Sequence, residues 1–264
     1  MTEQEVTQLF GQAPILVAHR GYSGHYPENT LLAYRAAYQH GARYVELDLQ
    51  LSSDLVPFVH HDSSLYRMSG IDQDIRDTKA KHIKALPAYY PDRFGDEFKE
   101  NKFTTFRKFC NWLRQHPDVT VFVELKQESI DRFGLPTFVD EVYRRIVDAE
   151  IESQCVIISF NEAVVSYTRN VSAMRVGWVL PKWNDENRKL LEDLNPDFMF
   201  CDKEFLPVDD GDIWRGGWQW AIYNLDDVNS AVAMANRGFH FLETNQIGTL
   251  MANDSLANRA HFEN

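Results

Sequence analysis

Cysteine is scarce in this sequence, and the little there is forms no pattern. Cys110, Cys155 and Cys201 are three among 264 residues. An odd number, widely separated and without CxxC or zinc-type spacing, argues against a disulfide framework and against structural zinc. Reduced, buried thiols in a cytoplasmic protein are expected instead. Long apolar runs are missing as well: no stretch of 18 apolar residues occurs, so no stable membrane insertion is expected. The N-terminal MTEQEVTQLFGQAP lacks the basic and apolar regions of a secretory signal and reads as a short frayed or amphipathic lead-in. Positive charge is in deficit, with 27 Lys and Arg against 39 Asp and Glu, a net of −12, and no compensating basic cluster. Such a chain repels nucleic acid and anionic membranes, so neither is an expected partner. Low-complexity tracts and internal repeats are also absent, and nothing in the pattern specifies an oligomeric state.

What is present suffices for a full core, at 44% hydrophobic composition. Short apolar runs alternate with helical patterns from end to end, which is the βα signature. Strands are expected at Ile15–His19, Tyr44–Leu51, Thr120–Lys126, Cys155–Phe160, Met174–Leu180, Asp197–Cys201, Gln219–Asn224 and Phe239–Thr244. Helical patterns fall between them, for example Glu28–His40 and Asp185–Leu194. Eight such units point to a (β/α)8 TIM barrel occupying residues 1–264 as a single domain. One connection breaks the rhythm. Residues 62–104 contain no clean βα unit, whereas βα loops usually take about 2–6 residues. Rich in Tyr, Phe, Arg and Asp and holding Pro87 and Pro91, this stretch reads as a small inserted subdomain after the second strand. That position is the C-terminal face of the barrel, where it is expected to cap the site.

The second strand, RYVELDLQL, carries the chemical question. Val45, Leu47, Leu49 and Leu51 face one way, while Glu46 and Asp48 face the other. Strand three, TVFVELK, places Glu124 and Lys126 on one face. Three carboxylates inside a barrel repel one another and lose hydration, a conflict that one divalent cation, Mg²⁺ or Ca²⁺, removes. Three carboxylates and one such cation leave a charge near −1, which Arg20 and Lys126 reverse, so the set suits a phosphate ester. His19 ends strand one and His61 follows the short return strand Val56–His60, and the two supply an acid and a base. Phe160, Trp220 and Asn224 are candidates for the substrate pocket, with Tyr22, Tyr66 and Trp178 weighed beside them against an ordinary core role.

Taken together and in order, HRGYSGHYPENT (His19–Thr30), VELDLQLSSD (Val45–Asp54), HHD (His60–Asp62) and VELK (Val123–Lys126) resemble the glycerophosphodiester phosphodiesterase family. The resemblance extends more faintly through ISF (Ile158–Phe160), WAIYN (Trp220–Asn224) and the last strand. It implies a (β/α)8 barrel with an inserted subdomain and the hydrolysis of small-molecule glycerophosphodiesters to glycerol 3-phosphate and an alcohol. By motif match, Glu46, Asp48 and Glu124 hold the metal, His19 and His61 are the acid–base pair, and Arg20 and Lys126 hold the phosphate. Glu28 and Asn29 are mainly architectural. Two departures stand out: Asp54-Leu55 replaces the usual Asp-Gly turn, and Thr244-Asn245 replaces Thr-Asp, with Glu243 and His240 unusual beside it. Competing readings are a barrel aldolase with a Lys126 Schiff base, a silent phosphate- or sugar-binding barrel, and a lysophospholipase D-like variant.

Overall fold

The computed structural model describes residues 14–207 and 213–257. The N-terminal lead-in expected at the start of the chain lies outside the described residues. Ten strands form one sheet: β1 (Ile15–Ala18), β2 (Tyr44–Leu51), β3 (Pro57–Val59), β4 (Thr104–Thr105), β5 (Thr120–Leu125), β6 (Cys155–Ser159), β7 (Arg175–Val179), β8 (Phe198–Asp202), β9 (Gln219–Tyr223) and β10 (Phe241–Thr244). Eight of them are parallel and run β1-β10-β9-β8-β7-β6-β5-β2, and a β1–β2 pairing closes the ring. This is a TIM barrel with α-helices between successive barrel strands, except that the described residues between β8 and β9 hold only the short turn Lys203–Phe205. β3 and β4 are antiparallel additions at the edge of β2.

Strand parity explains the layers. Val45, Leu47, Leu49 and Leu51 are fully buried in the outer cluster against the helices. The alternate residues point inward, where Val17, Phe122, Val156, Phe198, Ala221 and Phe241 fill the barrel. Phe122 is the centre of this plug, with ring centroids 5.1, 4.9 and 5.7 Å from Phe198, Phe200 and Phe241. Gly177 belongs to the same interior, where a Cβ would sit 2.9 Å from Ile158 Cγ2. The inward positions turn polar on β2 at Glu46, in register with Phe122, and one pleat further at Asp48 and Glu124, which stand side by side.

The first loop is shaped by backbone demands. Gly21 has φ +82°, and a Cβ there would lie 2.7 Å from the Ala33 carbonyl carbon, so only glycine fits. Helix α1 (Leu31–Gln39) starts three residues later than the pattern suggested, because Thr30 caps it by accepting from the Ala33 N–H and Asn29 is left-handed at φ 58°. The departure at Asp54-Leu55 has a visible consequence: Leu55 adopts φ 60° while 38% exposed. A left-handed leucine costs about 1–2 kcal/mol relative to its right-handed form. Leu55→Gly is therefore expected to raise stability by about 0.5–1 kcal/mol, after the added freedom of the unfolded chain is subtracted. A urea midpoint that falls in this variant would contradict that account of the turn.

Residues 62–104 fold into short helical turns around their own apolar cluster of Leu65, Met68, Ile75, Ala80, Ile83, Ala88 and Phe103, with Phe58 of β3. β3 pairs with β4 at the two ends of this segment. Cys110, Cys155 and Cys201 are buried free thiols. Among the described residues, no helix is long and apolar enough to cross a membrane.

Candidate active site

A cavity of about 320 Å³ opens at the C-terminal ends of the strands. Its lining includes His19, Arg20, Glu46, His61, Glu124 and Lys126, drawn from the ends of β1, β2, β3 and β5. The β2–β5 register sets Asp48 directly beside Glu124. One oxygen each from Glu46, Asp48 and Glu124 falls within 4.8 Å of the others. Glu46 and Asp48 are 2% and 1% exposed, and Glu46 Oε1 and Asp48 Oδ1 have no hydrogen-bond partner. Buried carboxylate oxygens without donors are costly, and an oxygen-only set of this spacing fits a hard divalent cation.

Electrostatics within the cluster are divided. Burial and repulsion from Asp48 and Glu243 push the Glu46 carboxyl well above its usual range. Burial likewise raises Glu124, against the opposing charge of Lys126. Burial would also raise Asp48, but Arg20 and Lys126 outweigh it and hold Asp48 far below the usual range. Arg20 Nε lies 3.0 Å from Asp48 Oδ2, an ion pair too poorly aligned to count as a hydrogen bond. Lys126 Nζ donates to Glu124 Oε1 at 2.9 Å and sits 3.5 Å from Asp48 Oδ1. Burial disfavours the Lys126 charge, yet the two carboxylates keep it protonated well beyond an ordinary lysine.

The two histidines are held by different devices. His19 Nδ1 is 2.8 Å from Asn245 Oδ1, which can only accept, so Nδ1 carries the proton and Nε2 is left bare. Nε2 faces Glu46 Oε2 at 3.9 Å and Glu243 Oε1 at 4.0 Å. Burial first, and then Arg20, lower His19 to about 4, so its ring is neutral near pH 7. His61 is more open, its side chain one-third exposed, and its Nδ1 pairs with Asp62 Oδ1 at 2.7 Å. The PENT segment supports this arrangement from behind. Asn29 Nδ2 donates to Asp48 Oδ2 at 2.8 Å, and Arg20 Nη1 donates to Glu28 Oε1 at 3.0 Å.

The structure brings together seven of the residues singled out from sequence: His19, Arg20, Glu46, Asp48, His61, Glu124 and Lys126. Phe160 and Asn224 also line the cavity, one residue past β6 and β9 respectively. Trp220 does not. On β9, Ala221 and Tyr223 point inward, so Trp220 points outward to the helix layer, stacking on Trp183 at 5.5 Å and donating its Nε1–H to the Trp214 carbonyl. It borders a separate cavity of about 840 Å³ with Trp214, Trp218 and Arg237, whose lining among the described residues has no carboxylate. Trp178 is likewise buried in the outer cluster, Tyr22 packs on His25 and His40, and Tyr66 is 56% exposed away from the cavity lining. Four residues outside the expected set matter to the geometry: Asn245 on His19, Glu243 facing it, Tyr223 on the opposite wall, and Arg67. Glu243 forms a second cluster with His19 and Glu46, their ligand atoms within 4.8 Å of one another. Inward parity on β10, shared with Phe241, was the available signal for Glu243. No residue of 62–104 lines the cavity; the segment reaches it through Arg67, whose guanidinium spans Asp62 and Glu28.

Comparison with known proteins agrees with this geometry. The model of the glycerophosphoryl diester phosphodiesterase family matches residues 19–202. Over 146 residues the chain is 30% identical to a glycerophosphodiester phosphodiesterase of Bacillus altitudinis, covering 55% of this chain and 58% of that protein. Over 147 residues it is 29% identical to one from Caldanaerobacter subterraneus subsp. tengcongensis, covering 56% and 58%. The matched region thus spans somewhat more than half the length of these relatives. Among solved structures, an Oleispira antarctica phosphodiesterase in complex with the product sn-glycerol-3-phosphate superposes with TM-score 0.81 at 23% identity, covering 91% of this chain and 96% of that one. A glycerophosphodiester phosphodiesterase from Agrobacterium tumefaciens gives 0.72 at 21%, covering 91% and 100%. These two likenesses establish the shared fold, and the family match, extending over well more than half of the sequence, establishes the lineage: the chain belongs to the glycerophosphoryl diester phosphodiesterase family.

Proposed function

We propose that this protein hydrolyses glycerophosphodiesters to glycerol 3-phosphate and an alcohol, using one divalent cation, Mg²⁺ or Ca²⁺, held by Glu46, Asp48 and Glu124. The observation that carries this reading is the convergence, in one cavity, of an unsatisfied carboxylate cluster, two cations and two separately held histidines. When bound, the cation supplies charge stabilisation to the phosphate oxygens. Arg20 is tied to Asp48 and Glu28 through Nε and Nη1, while Nη2 makes no hydrogen bond to the described residues and is available to a phosphate oxygen. Lys126 adds a fixed positive charge beside it. His19 is neutral with Nε2 bare, which suits acceptance of a proton from the attacking hydroxyl or water. His61, oriented by Asp62, then delivers a proton to the departing alkoxide. The protonated state of Lys126 speaks against a Schiff-base aldolase, which needs a free amine.

The test is release of glycerol 3-phosphate from glycerophosphocholine and glycerophosphoethanolamine. Release is expected from at least one, lost on EDTA treatment and restored by Mg²⁺ or Ca²⁺. No release from either substrate in the presence of both ions overturns the reading, and full activity after chelation overturns the metal assignment alone. Phe160 and Phe205, 38% and 41% exposed at the cavity, support a second reading in which a lysophospholipid chain rests on this apolar rim. Choline release from lysophosphatidylcholine distinguishes it.

A further inference from the structure

Arg67 belongs to the segment 62–104, and nothing in its immediate sequence marks it as functional. Its guanidinium nevertheless joins the two halves of the site. Nε donates to Asp62 Oδ2 at 2.7 Å and Nη2 to Asp62 Oδ1 at 3.0 Å, a two-point grip on the carboxylate that holds His61 Nδ1 at 2.7 Å. Nη2 also donates to Glu28 Oε1 at 2.9 Å, and Nη1 lies 2.9 Å from Glu28 Oε2. The same Glu28 Oε1 accepts from Arg20 Nη1 at 3.0 Å. The plane of the fork is backed by Tyr90 of the same segment, 5.1 Å from the Arg67 guanidinium carbon. One planar group thus fixes an uninterrupted chain, His61–Asp62–Arg67–Glu28–Arg20.

We propose that Arg67 is a positioning residue for the reaction: through Asp62 it sets the His61 ring and through Glu28 it sets the Arg20 guanidinium, making the inserted segment part of the catalytic unit. The physical reason is geometric. Asp62 can orient His61 only if its own carboxylate is held, and its side chain is 26% exposed, free to rotate without a second anchor. A bidentate fork supplies that anchor at both oxygens, which a lysine ammonium cannot do. Groups of this kind behind a reacting shell typically contribute about 10–100-fold.

This inference rests on the proposed phosphodiesterase reading for its kinetic test but not for its spectroscopic one. Arg67→Met is expected to lower kcat/KM for glycerophosphodiester hydrolysis about 10–100-fold, with Arg67→Lys recovering only part of the loss. In combination with Asp62→Asn, Arg67→Met should cost clearly less than the product of the two single losses, because the two changes share the route through the Asp62 carboxylate and only the route through Glu28 is left to lose. Arg93→Ala serves as the control, since Arg93 ties the same segment to the first loop at the Gly24 carbonyl and touches no part of this chain. It should leave kcat/KM unchanged. With ¹⁵N-histidine labelling, the His61 Nδ1 proton should be protected from solvent exchange in the parent protein and unprotected in Arg67→Met. Wild-type kcat/KM in Arg67→Met, a fully multiplicative double variant, or an equal loss in Arg93→Ala overturns the proposal. A parent protein that hydrolyses neither substrate overturns the functional reading, while the exchange measurement still decides the positioning role; if Arg67→Met fails to fold, Arg67→Lys carries both measurements.

Discussion

Replacing His61 by alanine is expected to lower kcat for glycerol 3-phosphate release by about 10²–10⁴-fold, the usual contribution of a positioned acid or base. The substitution isolates chemistry well because His61 contributes little to the core. Its side chain is one-third exposed, its partner is the neighbouring Asp62, and no hydrogen bond from its ring reaches the barrel wall. The folded variant should therefore melt within a few degrees of the parent. KM should change less than kcat, since in the proposed reading Arg20 and Lys126 hold the anion, and added imidazole should recover part of the rate. His19→Ala is a less clean experiment: that ring is only 13% exposed and is joined to Asn245, which also accepts from Ser23 Oγ at 2.8 Å. A His61→Ala protein with parental kcat removes His61 from the chemistry.

Asp48→Ala is expected to be the most damaging substitution for stability. Asp48 is 1% exposed, accepts from Asn29, and stands between Arg20 at 3.0 Å and Lys126 at 3.5 Å. Without it, the buried Lys126 and the partly buried Arg20 face each other with Glu124 and Glu28 as their remaining neutralisers. Removing one member of a buried charge pair costs about 3–5 kcal/mol, most of it from the partner left unpaired. The loss should appear as a lower urea midpoint with an unchanged slope. Its pH dependence has a definite sign. Asp48 is held below its unfolded value, so its contribution is fully present above about pH 4 and is lost as pH falls toward the folded value. The gap between parent and variant should accordingly stay open across neutral pH and narrow only in strong acid. Asp48→Asn keeps the shape and should cost less stability while still removing one of the proposed ligands to the cation. A stability difference under about 1 kcal/mol for Asp48→Ala would show that Arg20 and Lys126 find other partners.

The legible part of this site was the part carried by strand parity and short-range spacing. Glu46 and Asp48 sit two residues apart on a strand whose alternate positions are uniformly aliphatic, so their inward direction follows from the pleat alone. Glu124 and Lys126 repeat that pattern on β5, and the β2–β5 register puts them where parity says. Parity was silent on β9. Trp220, Ala221, Ile222 and Tyr223 are all apolar or aromatic, as expected for a parallel strand buried on both faces, and a uniform run carries no alternation to read. The outward direction of Trp220 consequently emerged only from the packing of Trp183 and Trp214 against it.

The sequence by itself determined the barrel, its inward carboxylates and the two histidines, because a two-residue period and a set of strand ends are local properties of a chain. Tertiary structure decided the rest. Ring closure between β1 and β10 brings Glu243 and Asn245 to His19 from more than two hundred residues away. The fold of residues 62–104 turns Arg67 back onto Asp62 and Glu28, the latter 39 residues earlier in the chain. Parity gives the inward direction of Glu243, but no periodicity or spacing announces which partners Glu243, Asn245 and Arg67 meet. These contacts arise because burying an apolar core fixes the positions of all the strand ends at once, and the charged groups there must find partners among whatever that packing delivers.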